Sequence, residues 1–280
     1  MIKTICVCGA GTMGSGIAQV AAMAGFRTIQ FDTNTAMLEK SRAGIEKNLE
    51  RLCEKGRIDT TKKEATLQCL VFTGELTDCI ADLVIEAIIE QPDAKKNLFN
   101  ALCSINSPTT IFASNTSSIS ITGIAAAVPE PGRVAGLHFF NPAPLMKLVE
   151  IIRAEQTRDE VVEELVSLTK ILGKTPVICK DSPGFIVNRV ARPYYLEAMK
   201  MVEEGAIDPS SADAAMEAAG FKMGPFALMD LIGMDINFNV SNIVWNALGQ
   251  PARLQPSSIQ EQKVKAGELG RKTGKGFYEY

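Results

Sequence analysis

Two spacings of apolar residues divide the start of the chain. Residues 3–8, Lys-Thr-Ile-Cys-Val-Cys, form a short apolar run that stops at a glycine cluster, after which Ile17, Val20, Ala21 and Ala24 recur at helical spacing. Strand, tight turn and helix is the predicted order. A second run, Thr28–Phe31, ends on Asp32, and Asn34 or Thr35 can then cap a long helix whose apolar positions include Met37, Leu38, Ile45, Leu49 and Leu52. Further strand-like runs fall at Leu83–Glu86, Thr110–Ala113, Val134–Leu137, Leu148–Ile152 and Pro176–Cys179. Helical stretches near Pro92–Asn106, Ile119–Ala127 and Asp159–Leu172 lie between them. This alternation predicts a doubly wound α/β sheet.

After Asp181-Ser-Pro-Gly184 no further strand run is found. The remaining segments read as helices punctuated at Asp208-Pro209, Gly224-Pro225 and Gln255-Pro256. The expected organisation is therefore an α/β domain over residues 1–183 and an all-helical C-terminal domain over 184–280. Phe226-Ala-Leu-Met-Asp-Leu-Ile-Gly233 is too apolar for a solvent face, which suggests a surface buried against a partner.

Composition narrows the function classes. A chain of 280 residues supports one large or two ordinary domains, and its formal charge of −3 argues against a general electrostatic grip on nucleic acid or membrane lipid. Anionic ligands must be met locally. Seven cysteines, odd in number and without a CxxC pair, read as reduced thiols, so a cytoplasmic location is expected. No apolar stretch is long enough to span a bilayer, and no cluster has metal-ligand spacing.

Gly9-Ala-Gly11-Thr-Met-Gly14 follows the first strand at the mouth of a helix, where free N–H groups and the helix dipole favour a pyrophosphate. Gly9, Gly11, Thr12, Met13 and Gly14 thus form a candidate cofactor loop. Asp32 lies 18 residues beyond the third glycine, at the end of the second strand, and completes the fingerprint of a Rossmann-type dinucleotide site. Its carboxylate suits two ribose hydroxyls and would repel a 2′-phosphate by ~4 kcal/mol per charge at 4 Å and an effective dielectric near 20. NAD is expected ahead of NADP, with Arg42 further along the helix leaving the exclusion incomplete. The competing reading of Asp32 is a helix N-cap.

Oxidising a secondary alcohol with nicotinamide needs a group that takes a proton near neutral pH, and the sequence offers a single histidine, His138. It ends a strand run, where an open α/β sheet places its ligands. Twelve residues on, Glu150 puts a carboxylate in an apolar strand, an unfavourable position unless it has a partner. Paired, the two would make an acid/base dyad in which Glu150 fixes the tautomer and orientation of the ring. A lone histidine in an aromatic strand is more often structural; the nucleotide signature reverses that preference. Two other features have ordinary readings on their residues alone. Ser114-Asn-Thr-Ser-Ser118 reads as a helix cap, and Lys47, Arg51 and Lys55 read as a solvated helix face paired with Glu46, Glu50 and Glu54.

Taken together, these segments resemble the 3-hydroxyacyl-CoA dehydrogenase family, in particular its short-chain 3-hydroxybutyryl-CoA members. The resemblance runs from Ile5 to the C-terminus. It is carried by Gly9–Gly16, Val84-Ile-Glu-Ala-Ile-Ile-Glu90, Ser114–Ser118, His138-Phe-Phe-Asn-Pro142, Lys180-Asp-Ser-Pro-Gly-Phe-Ile-Val-Asn-Arg189, Met223-Gly-Pro-Phe226 and Gly274-Lys-Gly-Phe-Tyr278. It implies interconversion of an (S)-3-hydroxyacyl-CoA and its 3-oxoacyl-CoA with NAD, in a reaction site between the two domains. His138 would be the acid/base and Glu150 its partner, with Ser117 and Asn188 on the reacting oxygen and the substrate. Glu90, Lys95, Asn115, Ser117 and Asn141 would join the cofactor contacts. Asn48 and Lys55 would serve the coenzyme A end, and a homodimer through the helical domain is implied. Two alternatives stand beside this: a dehydrogenase of another small hydroxy acid, and a nucleotide-binding relative without turnover.

Overall fold

The computed structural model describes residues 2–280, which divide into two compact units meeting at Asp181 and Ser182. The first unit holds β1 (Thr4–Cys8), α1 (Thr12–Met23), β2 (Arg27–Phe31), α2 (Thr35–Glu54), α3 (Thr60–Gln68), β3 (Leu70–Thr73), β4 (Leu83–Glu86), α4 (Pro92–Cys103), β5 (Ile111–Ser114), α5 (Ile121–Ala125), β6 (Val134–Phe139), β7 (Leu148–Arg153), α6 (Asp159–Ile171) and β8 (Thr175–Lys180). One eight-stranded sheet runs in the order β3-β2-β1-β4-β5-β6-β7-β8. Its central strands β4 and β5 are buried at every residue, as strands covered on both faces must be, and so their sequences are apolar runs rather than alternating ones.

Two features of this sheet position chemistry. The strand order reverses between β1 and β4, leaving a crevice at their carboxyl ends where ligands of such sheets bind. All neighbours are parallel except β6 and β7, whose antiparallel register sets His138 directly opposite Glu150. The core beneath joins Ile5, Val7, Leu83 and Ile85 of the sheet to Ile17 of α1, Ile45 and Leu49 of α2 and Leu165 of α6. Strand β3 was not among the predicted runs. It is a short edge strand with Val71 exposed, so neither a continuous apolar run nor a clean alternation marks it.

The second unit is helical: α7 (Val187–Glu203), α8 (Pro209–Ala218), α9 (Pro225–Ile232), α10 (Met234–Ala247) and α11 (Ser258–Lys265). Tyr195, Met199, Phe226, Met229, Met234 and Val244 form its core. The apolar stretch singled out from sequence is α9. Phe226 and Met229 serve this internal core, whereas Leu231 and the nearby Ile236 stay half-exposed. Two buried carboxylates tie the unit together. Asp213 accepts the N–H groups of Phe226 and Ala227 at the start of α9, and Asp230 accepts those of Phe277 and Tyr278, pinning the C-terminal segment. Among the described residues, no helix is long and apolar enough to cross a membrane, and no cluster could hold a metal ion.

Candidate active site

The glycine loop has the form a dinucleotide requires. Gly9 adopts φ +109°, and a β-carbon there would sit 2.4 Å from the carbonyl oxygen of Ala87. One at Gly14 would sit 2.0 Å from the Gly9 carbonyl oxygen, so the helix can start this close to the strand only on glycine. Gly11 differs: a β-carbon there meets nothing within 4 Å. Packing within the protein does not demand that glycine, whereas a ligand laid against the backbone there would. No side chain caps the first turn of α1, so its N–H groups face the loop without an internal acceptor.

Asp32 is half-buried at the end of β2, where its Oδ2 accepts the Ala10 N–H at 2.8 Å and its Oδ1 the Asn34 N–H at 2.9 Å. Its carboxylate therefore braces the loop from the end of the neighbouring strand. The N-cap of α2 is Asn34, which accepts from the backbone of Ala36 and Met37, so the capping reading of Asp32 gives way. Arg42 stacks over Phe72 with 4.7 Å to the ring centroid, a position fixed by β3, the strand missed in the sequence.

His138 and Glu150 meet across β6 and β7, with Nδ1 2.7 Å from Oε2. The histidine is 6 % exposed and the glutamate 1 %, so the pair interacts with little screening by water. The contact engages Nδ1 and holds the imidazole in one orientation across the two strands. The Phe140 ring packs against the imidazole at a tilt of 49°, with 4.5 Å between centroids, and the next backbone N–H, of Phe139, is held by Asn115 Oδ1 at 2.9 Å. Burial, followed by the charges of Glu150 and Asp181, pushes the nearby Cys179 thiol up to about 12. It stays protonated at neutral pH.

The Ser114–Ser118 turn is not the helix cap its composition suggested. Ser120 caps α5, and Thr116 Oγ1 accepts the N–H groups of Ser118 and Ile119. The turn hangs instead on carboxylates. Ser114 donates to Glu86 at 2.6 Å, while Glu90 Oε1 accepts from the Thr116 hydroxyl at 2.5 Å and the Ser117 N–H at 3.1 Å. Lys95, 1 % exposed, bridges Glu86 and Glu90 at 2.6 and 3.0 Å. Burial alone would raise the Glu90 carboxyl. The charge of Lys95, with the hydrogen bonds from Thr116, Lys95 and Ser117, outweighs it and holds the group below the usual range.

Glu86 and Lys174 are the residues that reading the sequence missed. Glu86 carried the same signal as Glu150, a charge inside an apolar run. Lys174 had none: it donates to the carbonyl oxygens of Ala143 and Met146 and so fixes the loop after His138.

A cavity of about 480 Å³ opens between α1, α2 and the segment 141–145. Asn48, Arg51, Lys55 and Asn141 line it, together with the glycine loop at Ala10 and Gly11. Glu50, expected to neutralise the basic face, is engaged by Lys63 of α3. Asn188 is half-buried in the first turn of α7, where its carbonyl accepts from Arg192 Nε at 3.0 Å.

Comparison with known proteins follows this geometry. The NAD-binding domain of 3-hydroxyacyl-CoA dehydrogenase matches residues 4–182, and the C-terminal domain of the same family matches residues 184–280. A 3-hydroxyadipyl-CoA dehydrogenase of Escherichia coli is 47 % identical over the whole chain, which spans 59 % of that protein's length. A probable 3-hydroxybutyryl-CoA dehydrogenase of Deinococcus radiodurans is 44 % identical, covering 98 % of this chain and 99 % of the relative. Among solved structures, the (S)-3-hydroxybutyryl-CoA dehydrogenase PaaH1 of Ralstonia eutropha superposes with a TM-score of 0.96 at 38 % identity, covering 100 % of this chain and 99 % of its own.

Proposed function

The chain belongs to the 3-hydroxyacyl-CoA dehydrogenase family and is an NAD-dependent oxidoreductase of 3-hydroxyacyl-CoA thioesters, and we propose that His138 and Glu150 are its acid/base dyad. The observation that carries this reading is the 2.7 Å contact between Nδ1 and a carboxylate 1 % exposed, which fixes the orientation of the ring and can stabilise its protonated form. In the oxidative direction His138 takes the proton of the 3-hydroxyl as its C–H bond breaks. Glu150 stabilises the imidazolium that results and holds the ring in one orientation. In reduction His138 returns the proton to the 3-oxo oxygen. NAD supplies the hydride acceptor, or NADH the donor, so the alcohol loses a proton and a hydride and becomes the ketone.

The remaining roles are proposed on the family motifs together with the local geometry. Ser117 and Asn188 donate to the reacting oxygen and position the substrate. Gly9, Gly11, Thr12, Met13 and Gly14 cradle the pyrophosphate, while Asp32 takes the adenosine ribose. Glu90, Lys95, Asn115 and Asn141 complete the cofactor contacts. The cavity lined by Asn48 and Lys55 suits an acyl-carrier chain and its phosphates, because its cations lie beside an amide donor and apolar walls. A homodimer through the helical unit would cover the half-exposed Leu231 and Ile236, and seven free thiols suit a reducing compartment such as the cytoplasm.

The direct assay is NADH oxidation with acetoacetyl-CoA beside 3-oxoadipyl-CoA and a longer 3-oxoacyl-CoA, repeated with NADPH. Turnover of a 3-oxoacyl-CoA with NADH is expected. Failure on all three thioesters would contradict the activity, and equal rates with NADPH would contradict the role given to Asp32.

A further inference from the structure

Outside the dyad, the most heavily buried charges of the first unit are Glu86 and Lys95, at 0 % and 1 % exposure, with Glu90 at the open end of the group. Hydrogen-bond direction gives their charge state. Glu86 receives the Ile88 N–H at 2.8 Å, the Ser114 hydroxyl at 2.6 Å and Lys95 at 2.6 Å, and donates to none. The Ser114 hydroxyl donates to Glu86 while its Oγ accepts the Thr116 N–H. Glu90 likewise receives Thr116, Ser117, Ser118 and Lys95. Each carboxyl is ringed by N–H and O–H donors and ion-paired with the one Lys95 ammonium, the surroundings that suit a carboxylate. Two negative groups on one ammonium leave the cluster with a net charge of −1.

Its place in the sheet gives that charge a target. Asp32 ends β2 on one side of the switch point, and the glycine loop follows β1. The nicotinamide half of the dinucleotide then lies over the ends of β4, β5 and β6. Glu86 is the last residue of β4 and Ser114 the last of β5, with His138 next to the last of β6. A charge that served stability alone would be a poor choice here, since a buried ion group is often no better than an apolar one.

We propose that the Glu86–Lys95–Glu90 cluster is an electrostatic selector that favours the oxidised over the reduced nicotinamide ring, with Glu86 as its buried anchor. NAD+ and NADH share every phosphate and sugar and differ by one positive charge on the ring, so the ratio of their affinities reads the field at that ring. The inference rests on NAD use and on the orientation of the dinucleotide over the sheet. It is independent of the dyad, because binding is read without turnover.

The test is titration of the full chain with NAD+ and with NADH, by calorimetry or cofactor fluorescence, for the wild type, Glu86→Gln, Glu86→Asp and Glu90→Gln. In Glu86→Gln the ratio of Kd for NAD+ to Kd for NADH is expected to rise severalfold, up to about tenfold, as expected for loss of one unit charge acting across a site of effective dielectric near 20. Glu86→Asp keeps the charge and should hold the ratio within about twofold even where both forms bind more weakly. A Glu86→Gln protein that weakens both forms equally would reduce the cluster to a structural brace and overturn the proposal. Should that variant not fold, Glu90→Gln, at the exposed end, must shift the ratio in the same direction, and an unchanged ratio there overturns it as well.

Discussion

Individual side chains carry most of the chemistry argued above, and each has a consequence of its own. Asp32 holds the loop through Ala10 and is proposed to take the ribose, so Asp32→Ala is expected to narrow the gap in kcat/KM between NADH and NADPH by removing the repulsion of a 2′-phosphate. A gap that stays the same width would return Asp32 to a purely structural role. Glu90 gives a pH prediction. Its carboxyl is held below the ordinary glutamate range by Lys95, Thr116 and Ser117 against the opposing effect of burial. Its contribution to stability is therefore complete above the unfolded-state value of about 4.3 and is lost as pH falls through the lower folded value. Melting temperatures measured downward from pH ~5 should fall less steeply for Glu90→Gln than for the wild type. Equal slopes would show that the carboxylate is not stabilised by these partners.

Elements explain why some of this was legible in the sequence and some was not. The β1–α1 unit could be read directly because its glycines obey steric demands that leave no substitute. Gly14→Ala would push a methyl group toward the Gly9 carbonyl, and the overpacking should lower stability by about 1–3 kcal/mol and abolish the rise in Tm on adding NAD. A variant that melts and binds NAD normally would contradict the close helix–strand approach. Glu150 was legible because a charge in an apolar strand needs a partner, but the antiparallel register that aims it at His138 depends on long-range pairing of β6 with β7. The Ser114–Ser118 turn was misread as a cap for a similar reason. The carboxylates it serves, Glu86 and Glu90, lie 28 and 27 residues from their Ser114 and Ser117 partners. Lys174, a lysine in an ordinary loop context, owes its role wholly to tertiary placement beside Ala143 and Met146.

On the scale of the whole molecule, a chain of net charge −3 has to recognise an acyl-CoA, a ligand carrying several phosphates. We propose that local cations, Arg51 and Lys55 in the lining of the α1–α2 cavity, supply that recognition. Lys55→Ala should accordingly raise KM for an acyl-CoA severalfold, on the order of the 0.3–1 kcal/mol or more of a partly exposed charge contact, and leave a thioester truncated before the phosphates nearly unaffected. Equal effects on both substrates would make the basic face of α2 a solvated one after all. The chain divides at Asp181 and Ser182, close to where its strand runs cease, whereas the packing of Phe226 and Met229 into an internal core was not legible, since apolar excess alone cannot distinguish core from interface. The account as a whole depends on His138 as the proton-transfer group, and the most direct measurement is single-turnover and steady-state kinetics of His138→Gln beside its NAD affinity. A fall in kcat of roughly 10²–10⁴-fold with NAD binding nearly unchanged is the predicted result; near-normal turnover would contradict the mechanism.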